Sequence, residues 1–384
     1  MERLFAATAY SKGLEGVIAG ESTICQIDGQ NGKLLYRGYN IDDLVKNSSY
    51  EETVYLLLFE QLPTAAEFAE FKQNFRSGRH IVPPIQDMIR NFPPAGDPME
   101  LLQSVMSYLS GYVAHKIKHS AFCNCRQTLH QVAQMPTVIA TYQRFKEGKQ
   151  YLAPREDLSH GANFLYMLRG EEPLAYEADI MDKCLILHAE HGFNASTFTA
   201  RVVASSLSTC YSSISAAIGS LRGSLHGGAN EQVMDMLTEI GNVYNVDTWL
   251  DKALSEKKKI MGMGHREYKV KDPRSYVMEE FLRELSEKKG DSKNLSILSK
   301  LEKSFRSRMD QKGKPLYPNV DFFSGSVYSL LGIPQQLFSP IFAMARSAGW
   351  LAHILEQRKD NRLFRPESLY IGPEPQNYIP IEKR

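Results

Sequence analysis

The chain has 384 residues, of which 43% are hydrophobic and 23% are charged, a composition typical of a folded globular protein with more than one domain. Its 45 basic and 44 acidic residues give a formal net charge of +1, so we expect no nucleic-acid partner. The N-terminus lacks the apolar core of a signal peptide and no apolar run is long enough to span a bilayer, so we expect a cytoplasmic protein with no membrane contact.

One β-hairpin is predicted near the N-terminus. Residues 24–28 and 33–37 have strand-type sequences and flank a Gly-Gln-Asn-Gly turn. Nearly all of the chain after this hairpin has helical periodicity. The expected fold class is therefore all-α, with one small sheet added.

Two helix starts carry strong signals. Asp97-Pro98 and Asp272-Pro273 each place an N-cap residue before a proline at the first helical position. Apolar residues follow at helical spacing in both cases. Gly290 is the expected end of the second helix, and another helix is predicted to begin near Asn294.

A short segment between these helices contains several potential metal ligands. They are His115, His119, Cys123, Cys125 and His130. The segment is otherwise polar and lysine-rich, and Cys-x-Cys is not the usual spacing of zinc ligands. We interpret it as a surface connection and predict no metal site. The chain's five cysteines, an odd number, also argue against a disulfide framework.

Two helical stretches, 195–221 and 341–355, are rich in alanine, serine and glycine. Small residues let helices approach closely, which is typical of a helical core or a subunit interface. No repeat of the length found in helical solenoids is present. The sequence therefore disfavours the alternative of a helical scaffold that binds partners without catalysis.

His188 and His191 are spaced i, i+3, so the sequence predicts that they share one helical face, with Asn194 just beyond. Two such histidines could bind a metal, but the His-Glu-x-x-His pattern of metalloproteases is absent. Recognition of a carbonyl or carboxylate group is the better functional interpretation. The structural alternative is a core or capping role for either histidine.

The stretch 221–237 has the pattern most suited to chemistry. His226 precedes Gly227 and Gly228, and a helical pattern begins after them. Glycines allow a ligand to approach the backbone, and a helix N-terminus favours a neutral imidazole. Such a ring can donate a hydrogen bond to an enolate oxygen. The alternative is a glycine-rich helix start with a structural histidine.

A sharp, basic loop is predicted at 260–275. Gly262 and Gly264 precede His265. Positive charge follows at Lys269, Lys271 and Arg274. The loop lacks the Gly-Lys-Ser/Thr sequence of a P-loop, so it does not predict nucleotide hydrolysis. Its amides and lysines could hold the phosphates of a cofactor such as coenzyme A, and the alternative is a basic surface loop.

Three charged residues in the last quarter of the chain have apolar or small neighbours. Asp321 precedes Phe322 and Phe323, so it either caps a helix or is a base whose pKa burial would raise above about 3.9. Arg346 lies within a small-residue helix and Arg365 lies near the C-terminus. A buried arginine requires an anionic partner.

Six motifs, in this order and at this spacing, resemble the citrate synthase family over nearly the whole chain. They are HAEHGFNASTF, LHGGANE, GMGHREYKVKDPR, PNVDFFSG, MARSAGWLAH and FRPESLYIGP. The resemblance implies an all-α, two-domain fold and a homodimer. It places the large domain at 1–222 and 328–384, and a small domain at 223–327 that binds coenzyme A (CoA) and closes over the substrates.

The resemblance also implies a reaction, in which an acyl-CoA is joined to oxaloacetate and the thioester is then hydrolysed. Asp321 would remove the α-proton, His226 would donate a hydrogen bond to the enol oxygen, and His265 would polarise the oxaloacetate carbonyl. The implied oxaloacetate ligands are His188, His191, Asn194, Arg274, Arg346 and Arg365, the last of these from the partner subunit. The implied CoA contacts are Gly262, Gly264, Lys269 and Lys314. No metal and no permanently bound cofactor are expected.

These implied roles agree with the chemistry of the residues. An enolate formed beside a thioester is far more basic than an aspartate, so the base needs a positioned donor such as His226. Forked guanidinium groups suit carboxylates better than ammonium groups do.

Three positions depart from the family pattern: Ser224 where proline is common, Met263 where an aromatic residue is usual, and Glu267 where a small apolar residue is usual. We expect the charge of Glu267 to weaken CoA binding unless Lys269 and Lys271 offset it. The chain also lacks the N-terminal extension of NADH-inhibited members, so we expect no such regulation. Acetyl-CoA is the expected acyl donor, with propionyl-CoA and 2-methylcitrate formation as the alternative, because one methylene changes selectivity by only about 1–3 kcal/mol.

Overall fold

The computed structural model describes residues 10–112 and 125–384 of the chain. Near the N-terminus, strands β1 (Cys25–Asp28) and β2 (Lys33–Tyr36) pair antiparallel, with Cys25 opposite Tyr36. The predicted hairpin is thus confirmed, one residue shorter at each outer end. A short third strand, β3 (Tyr39–Asn40), extends the sheet beside β2 and was not predicted.

Helices make up most of the remaining described residues. Their bounds are α1 Ile41–Asn47, α2 Tyr50–Phe59, α3 Ala65–Ser77, α4 Pro83–Arg90, α5 Pro98–Leu109, α6 Cys125–Lys146, α7 His160–Arg169, α8 Ala175–His188, α9 Ala195–Ser205, α10 Cys210–Arg222, α11 Ala229–Ile240, α12 Val246–Ser255, α13 Pro273–Lys289, α14 Lys293–Asp310, α15 Asp321–Leu330 and α16 Phe338–Lys359. The all-α fold class is confirmed.

The predicted helix starts are confirmed by their caps. The Asp97 carboxylate accepts a hydrogen bond from the Met99 amide at the start of α5, and Asp272 accepts one from the Arg274 amide at the start of α13. Gly290 ends α13 in the left-handed conformation, with φ of +68°. The helix predicted near Asn294 begins one residue earlier.

Two predictions about the middle of the chain were wrong in detail. The stretch 195–221 forms two helices, α9 and α10, because Thr209 caps a new helix through the Ser212 amide. His188 is the last residue of α8, and His191 lies in the following loop, so the two histidines do not share a helical face. The loop 189–194 then ends at Asn194, whose side chain caps α9.

Helix α16 lies at the centre of a large group of helices. It packs against α2, α6, α8, α9 and α10, and its side chains are buried almost continuously from Phe338 to Ile354. The alanines and Gly349 in this helix permit these close contacts, as their pattern predicted. A second group comprises α11 to α15: α15 packs against α11 and α13, and α12 packs against α14.

The segment with the potential metal ligands lies only partly within the described residues. His115, His119 and Cys123, and the side chain of Cys125, lie outside the described residues, so the interpretation of this segment as a surface connection stays a prediction. Within the described ranges, Cys25 and Cys184 are free thiols. No helix in those ranges is long and apolar enough to cross a membrane.

Candidate active site

His226 and Asp321 line the same small cleft, together with Asn230 and Phe342. His226 belongs to a tight turn in which its amide donates to the Gly223 carbonyl oxygen at 2.8 Å. Gly228 follows with φ of +76° and starts α11. The turn brings the imidazole in front of α11 and opposite the first residue of α15.

The hydrogen bonds of His226 determine its tautomer. Its Nε2 atom accepts a hydrogen bond from the Ser196 amide at 3.2 Å and lies 2.8 Å from Ser196 Oγ. Because Nε2 accepts, the proton of the neutral ring is on Nδ1, which is available as a donor. Burial, followed by the charge of Arg346, lowers the pKa of His226 to about 4. The ring is neutral, as predicted, but the main cause is burial and not the helix N-terminus.

Ser196 is itself held in place from two sides. The Trp350 Nε1 group donates to Ser196 Oγ at 3.1 Å, and the one hydroxyl proton of Ser196 is shared between His226 Nε2 and Asn194 Oδ1, each 2.8 Å from Oγ. Asn194 Oδ1 also accepts from the Thr197 amide. Its role in this structure is therefore to cap α9 and to hold the serine that orients His226. The sequence motif pointed to Asn194, whereas Ser196 and Trp350 were missed.

Asp321 is the first residue of α15, and its carboxylate accepts no hydrogen bond from any described residue. The residue therefore does not act as a side-chain cap. Burial raises its pKa to about 6, and the charge of Arg274 opposes this shift. A carboxylate without a hydrogen-bonded partner and with a raised pKa suits a general base.

His265 lies in a loop that packs against the segment before α15. Its Nδ1 atom accepts hydrogen bonds from the Glu267 and Tyr268 amides at 3.0 and 3.2 Å, so the neutral ring carries its proton on Nε2. Burial, followed by the charge of Arg274, lowers its pKa to about 4. His265 is a second neutral imidazole with one free N–H donor.

The two glycines before His265 serve the packing of this loop. Gly262 has φ of +74°, and a Cβ atom there would lie 2.7 Å from Phe322 Cα. The Gly264 amide donates to the Tyr317 carbonyl oxygen, and its own carbonyl accepts from Asn319 Nδ2. These contacts tie the His265 loop to the residues just before Asp321.

His191 faces His265 from the other group of helices. The centroids of the two rings are 5.2 Å apart, and His191 Nε2 lies 3.2 Å from the Tyr268 hydroxyl. Burial, followed by the charge of Arg274, lowers the pKa of His191 well below its usual value. Tyr268 was not singled out in the sequence, although its position within GHREYK could have indicated it.

Arg274 and Arg346 are buried, with 3% and 1% of their surfaces exposed. The Arg274 guanidinium binds both carboxylate oxygens of Asp272, through Nε at 3.0 Å and Nη2 at 2.7 Å. Although burial alone would lower it, this carboxylate holds the pKa of Arg274 above its usual value. Its Nη1 group donates to none of the described residues.

Arg346 has no carboxylate partner among the described residues. Its Nε donates to the His188 carbonyl oxygen at 2.7 Å, and its guanidinium lies over the Phe342 ring. Burial lowers its pKa, and the charge of Glu190 opposes this effect. A buried guanidinium with two unused terminal nitrogens is suited to binding an anion such as a carboxylate.

His188 is the least accessible of the predicted site residues. It is fully buried, its Nδ1 lies 2.8 Å from the Cys184 carbonyl oxygen, and burial lowers its pKa to about 3. Its Nε2 has no partner among the described residues. It contacts the site in two ways: its backbone carbonyl accepts from Arg346, and its ring lies edge-on to Phe342 with centroids 5.2 Å apart.

The predicted lysines of the 260–275 loop, together with Lys314, divide into two classes. Lys269 and Lys314 are exposed, as is Glu267. Lys271 is buried and its Nζ pairs with Glu279 at 2.7 Å and Glu302 at 3.1 Å. The expectation that Lys271 could offset the charge of Glu267 is therefore wrong, because its own charge is already neutralised.

Arg365 lies away from this cluster in the exposed C-terminal segment, where its Nη1 donates to the Pro366 carbonyl oxygen. Within 10–112 and 125–384, no group of three histidine, cysteine, aspartate or glutamate side chains could hold a metal ion. The structure thus brings together His191, His226, His265, Asp321, Arg274 and Arg346 around one region, and leaves Arg365 outside it.

Comparisons with known proteins place this arrangement in context. The family model described as "Citrate synthase, C-terminal domain" matches residues 13–367. The chain is 44% identical over 375 residues to a citrate synthase of Synechocystis sp., covering 98% of this chain and 94% of that protein. It is 41% identical to 2-methylcitrate synthase 2 of Corynebacterium glutamicum, covering 98% of both proteins. A solved ternary complex of Thermoplasma acidophilum citrate synthase with carboxymethyl-CoA and oxaloacetate superimposes with a TM-score of 0.92 at 33% identity, covering 98% of this chain and all of that one.

The raised pKa of Asp321 has a measurable effect on stability. Its folded value of about 6 exceeds the ordinary 3.8, so the ionised carboxylate destabilises the fold at high pH. Replacing it by neutral asparagine should stabilise the protein by up to about 3 kcal/mol at pH 8. This gain should shrink as the pH falls through 6 toward 4, where the folded aspartate is protonated. Denaturant unfolding of both proteins at pH 4, 6 and 8 measures it; a variant less stable than wild type at pH 8 would contradict it.

Proposed function

The chain belongs to the citrate synthase family, an acyltransferase family that condenses acetyl-CoA with oxaloacetate, and we propose that His226, His265 and Asp321 carry out this reaction in it. The observation that supports these roles most directly is the combination of a carboxylate of raised pKa with two neutral imidazoles. In each imidazole a backbone amide donates to one ring nitrogen, so the other nitrogen carries the N–H group.

The first step is enolisation of the acyl-CoA. Asp321 takes a proton from the carbon next to the thioester carbonyl, and the negative charge moves onto the carbonyl oxygen. The Nδ1–H group of His226 donates to that oxygen and stabilises the charge as it forms. A protonated imidazole would simply transfer its proton, whereas a neutral one keeps the intermediate reactive.

Condensation follows on oxaloacetate. Its carboxylates bind to Arg346 and to the free Nη1 group of Arg274, while His191 and Asn194 shape the loop beside them. The Nε2–H group of His265 polarises the carbonyl that the enolate attacks, and water then cleaves the thioester to release CoA. The proposed reaction uses these side chains, the two organic substrates and one water molecule.

Residues 223–327 form the small domain in this proposal, and 1–222 with 328–384 form the large one. His265 and Asp321 lie in the former, whereas His191 and Arg346 lie in the latter. Movement of the small domain would therefore bring donors and base to bound oxaloacetate and exclude water until condensation is complete. The proposal assigns Lys269 and Lys314 to the phosphates of CoA, where the charge of Glu267 would weaken binding.

Acetyl-CoA is the proposed acyl donor, because the citrate synthases among the relatives reach 44% identity against 41% for the 2-methylcitrate synthase. The discriminating measurement is kcat/KM for acetyl-CoA and propionyl-CoA with oxaloacetate. A selectivity for acetyl-CoA of about 10-fold or more is expected, as one methylene is worth about 1–3 kcal/mol. Preference for propionyl-CoA would make 2-methylcitrate synthase the function, and turnover of neither would overturn the assignment.

Replacing His226 by alanine should lower kcat by about 10²–10³ and leave KM for both substrates nearly unchanged, because its hydrogen bond strengthens as the enolate forms. Steady-state kinetics with each substrate varied in turn provide the measurement. His80→Ala, which removes a half-exposed histidine outside the site, is the control and should retain wild-type rates. An effect on KM alone would contradict the role of His226.

We also propose that the protein is a homodimer in which Arg365 completes the partner's site. Arg365 is exposed in a C-terminal segment that carries several exposed large apolar side chains, including Leu369, Tyr370, Ile371 and Tyr378. Exposed apolar side chains in one segment indicate a surface that another chain covers. An arginine that completes the site of a second subunit would have to lie on the surface of its own subunit, as Arg365 does.

Mixing two inactive variants tests the shared site. One chain carries Asp321→Ala and the other Arg365→Leu, and the two are unfolded and refolded together. In a mixed dimer with shared sites, one site receives both lesions and the other receives none, so activity should return. Random assortment makes about half of the dimers mixed, each with one intact site, so recovery should approach about a quarter of wild type.

If Arg365 serves its own subunit, every site keeps one lesion and mixing restores nothing. Mass spectrometry of differently tagged chains confirms that mixed dimers have formed. Wild-type protein taken through the same refolding sets the maximum recovery. Mixed dimers without activity would rule out the shared site.

A further inference from the structure

Glu190 is a fully buried glutamate in the middle of the 189–194 loop, between the predicted site residues His188 and His191. Its Oε1 atom accepts hydrogen bonds from the Gly192 amide at 2.6 Å and from His353 Nε2 at 2.9 Å. Its Oε2 atom has no hydrogen-bond partner among the described residues. The proposed mechanism gives this side chain no chemical role, so its burial requires another explanation.

One face of α16 lies beside the Glu190 carboxylate. Arg346, Gly349 and His353 are spaced by three and four residues and so line up on that face. His353 donates to Glu190, and a Cβ atom at Gly349 would lie only 2.2 Å from Oε2 and 2.4 Å from the Ala189 carbonyl oxygen. The absence of a side chain at Gly349 therefore allows the 189–194 loop to pack closely against α16.

His353 has a fixed tautomer because of its second partner. Its Nδ1 lies 3.1 Å from Arg201 Nη1, which can only donate, so Nδ1 accepts and the proton is on Nε2, facing Glu190. Arg201 also pairs with Glu356 at 2.7 Å. Glu356 in turn accepts from the Thr23 amide at 2.8 Å. This chain of partners, buried at His353 and Arg201, connects the loop to the residues just before β1.

The backbone of Glu190 is held as firmly as its side chain. The Tyr36 hydroxyl donates to the Glu190 carbonyl oxygen at 2.9 Å, and the Glu190 amide approaches the same hydroxyl at 3.3 Å. The loop residue immediately before His191 is thus fixed from β2 on one side and from α16 on the other. Among the described carboxylates, that of Glu190 acts most strongly on the charge of Arg346.

We propose that Glu190 is a positioning residue for the oxaloacetate site. Through its contacts with Gly192, His353 and Gly349, it fixes the position of His191 relative to Arg346. The inference rests on the proposed function, since it concerns how oxaloacetate is bound. It assigns Glu190, His353 and Gly349 a role in affinity for the dicarboxylate and none in proton transfer.

Two substitutions of Glu190 separate its hydrogen bonds from its volume. Glu190→Met keeps the length of the side chain and removes the acceptor, so it should release the Gly192 amide. We expect it to weaken oxaloacetate binding by about tenfold or more, because a 1 Å misplacement of a site residue can cost an enzyme about 10²-fold. Glu190→Gln keeps an oxygen that can accept from Gly192 and His353, and should retain most of the affinity. Isothermal titration of oxaloacetate into each enzyme without acyl-CoA measures both.

Gly349→Ala tests the same position without altering Glu190, and it remains informative if Glu190→Met fails to fold. Its methyl group would displace Oε2 and the Ala189 carbonyl, so a similar loss of oxaloacetate affinity is expected. The matched control is Glu51→Met. Glu51 is equally buried, but its carboxylate contacts Arg76 and Arg79, away from the loop. This variant should lower the unfolding midpoint and leave oxaloacetate affinity unchanged.

The outcomes distinguish the inference from the proposed function. If the wild-type protein does not bind oxaloacetate, the proposed function fails. If wild type binds, but folded Glu190→Met or Gly349→Ala binds equally well, Glu190 has only a structural role and the inference fails. If Glu190→Gln binds as weakly as Glu190→Met, the hydrogen bonds are not the cause and the inference also fails.

Discussion

The site depends on two arginine charges that are withdrawn from water. Transfer of a guanidinium into the interior is strongly unfavourable unless partners compensate it. Asp272 compensates Arg274 through two hydrogen bonds, whereas Arg346 has only a backbone carbonyl, an aromatic ring and the nearby Glu190 charge. In the proposed function, the anion that pairs with Arg346 is a carboxylate of oxaloacetate. Pairing with this carboxylate would compensate the guanidinium for the water that it loses on burial, and this compensation would favour substrate binding.

The same two charges add to the effect of burial on the protonation of the histidines around them. Burial is the largest cause of the lowered pKa at His191, His226 and His265, and an arginine charge adds to it at each. Rings that stay neutral at physiological pH can donate one hydrogen bond without giving up a proton. Under the proposed function, the two fixed cations would bind the carboxylates of oxaloacetate, and the neutral imidazoles would donate to carbonyl oxygens. Burial raises the pKa of Asp321, whose carboxylate accepts no hydrogen bond from any described residue.

Much of this could be predicted from local patterns. Asp97-Pro98, Asp272-Pro273 and Gly290 mark helix ends because capping and φ preferences act within a few residues, and the hairpin at 25–36 follows from its turn. The motif residues His226, His265 and Asp321 were found because they stand beside glycines or in apolar company. Prediction failed at His191, since i, i+3 spacing implies a shared face only where the helix continues. It failed at Lys271 as well, because Glu279 and Glu302 are distant in sequence.

By itself, the sequence determined the helical class, the hairpin, the main helix starts and the family, all of which rest on short-range periodicity or on contiguous motifs. Only the tertiary structure decided which nitrogen of His226 and of His353 carries the proton, because Ser196 and Arg201 approach these two rings from other elements. It also decided that Glu190 occupies the space left by Gly349. Charges, hydrogen bonds and close contacts of this kind depend on distances in space, and sequence separation carries no information about them.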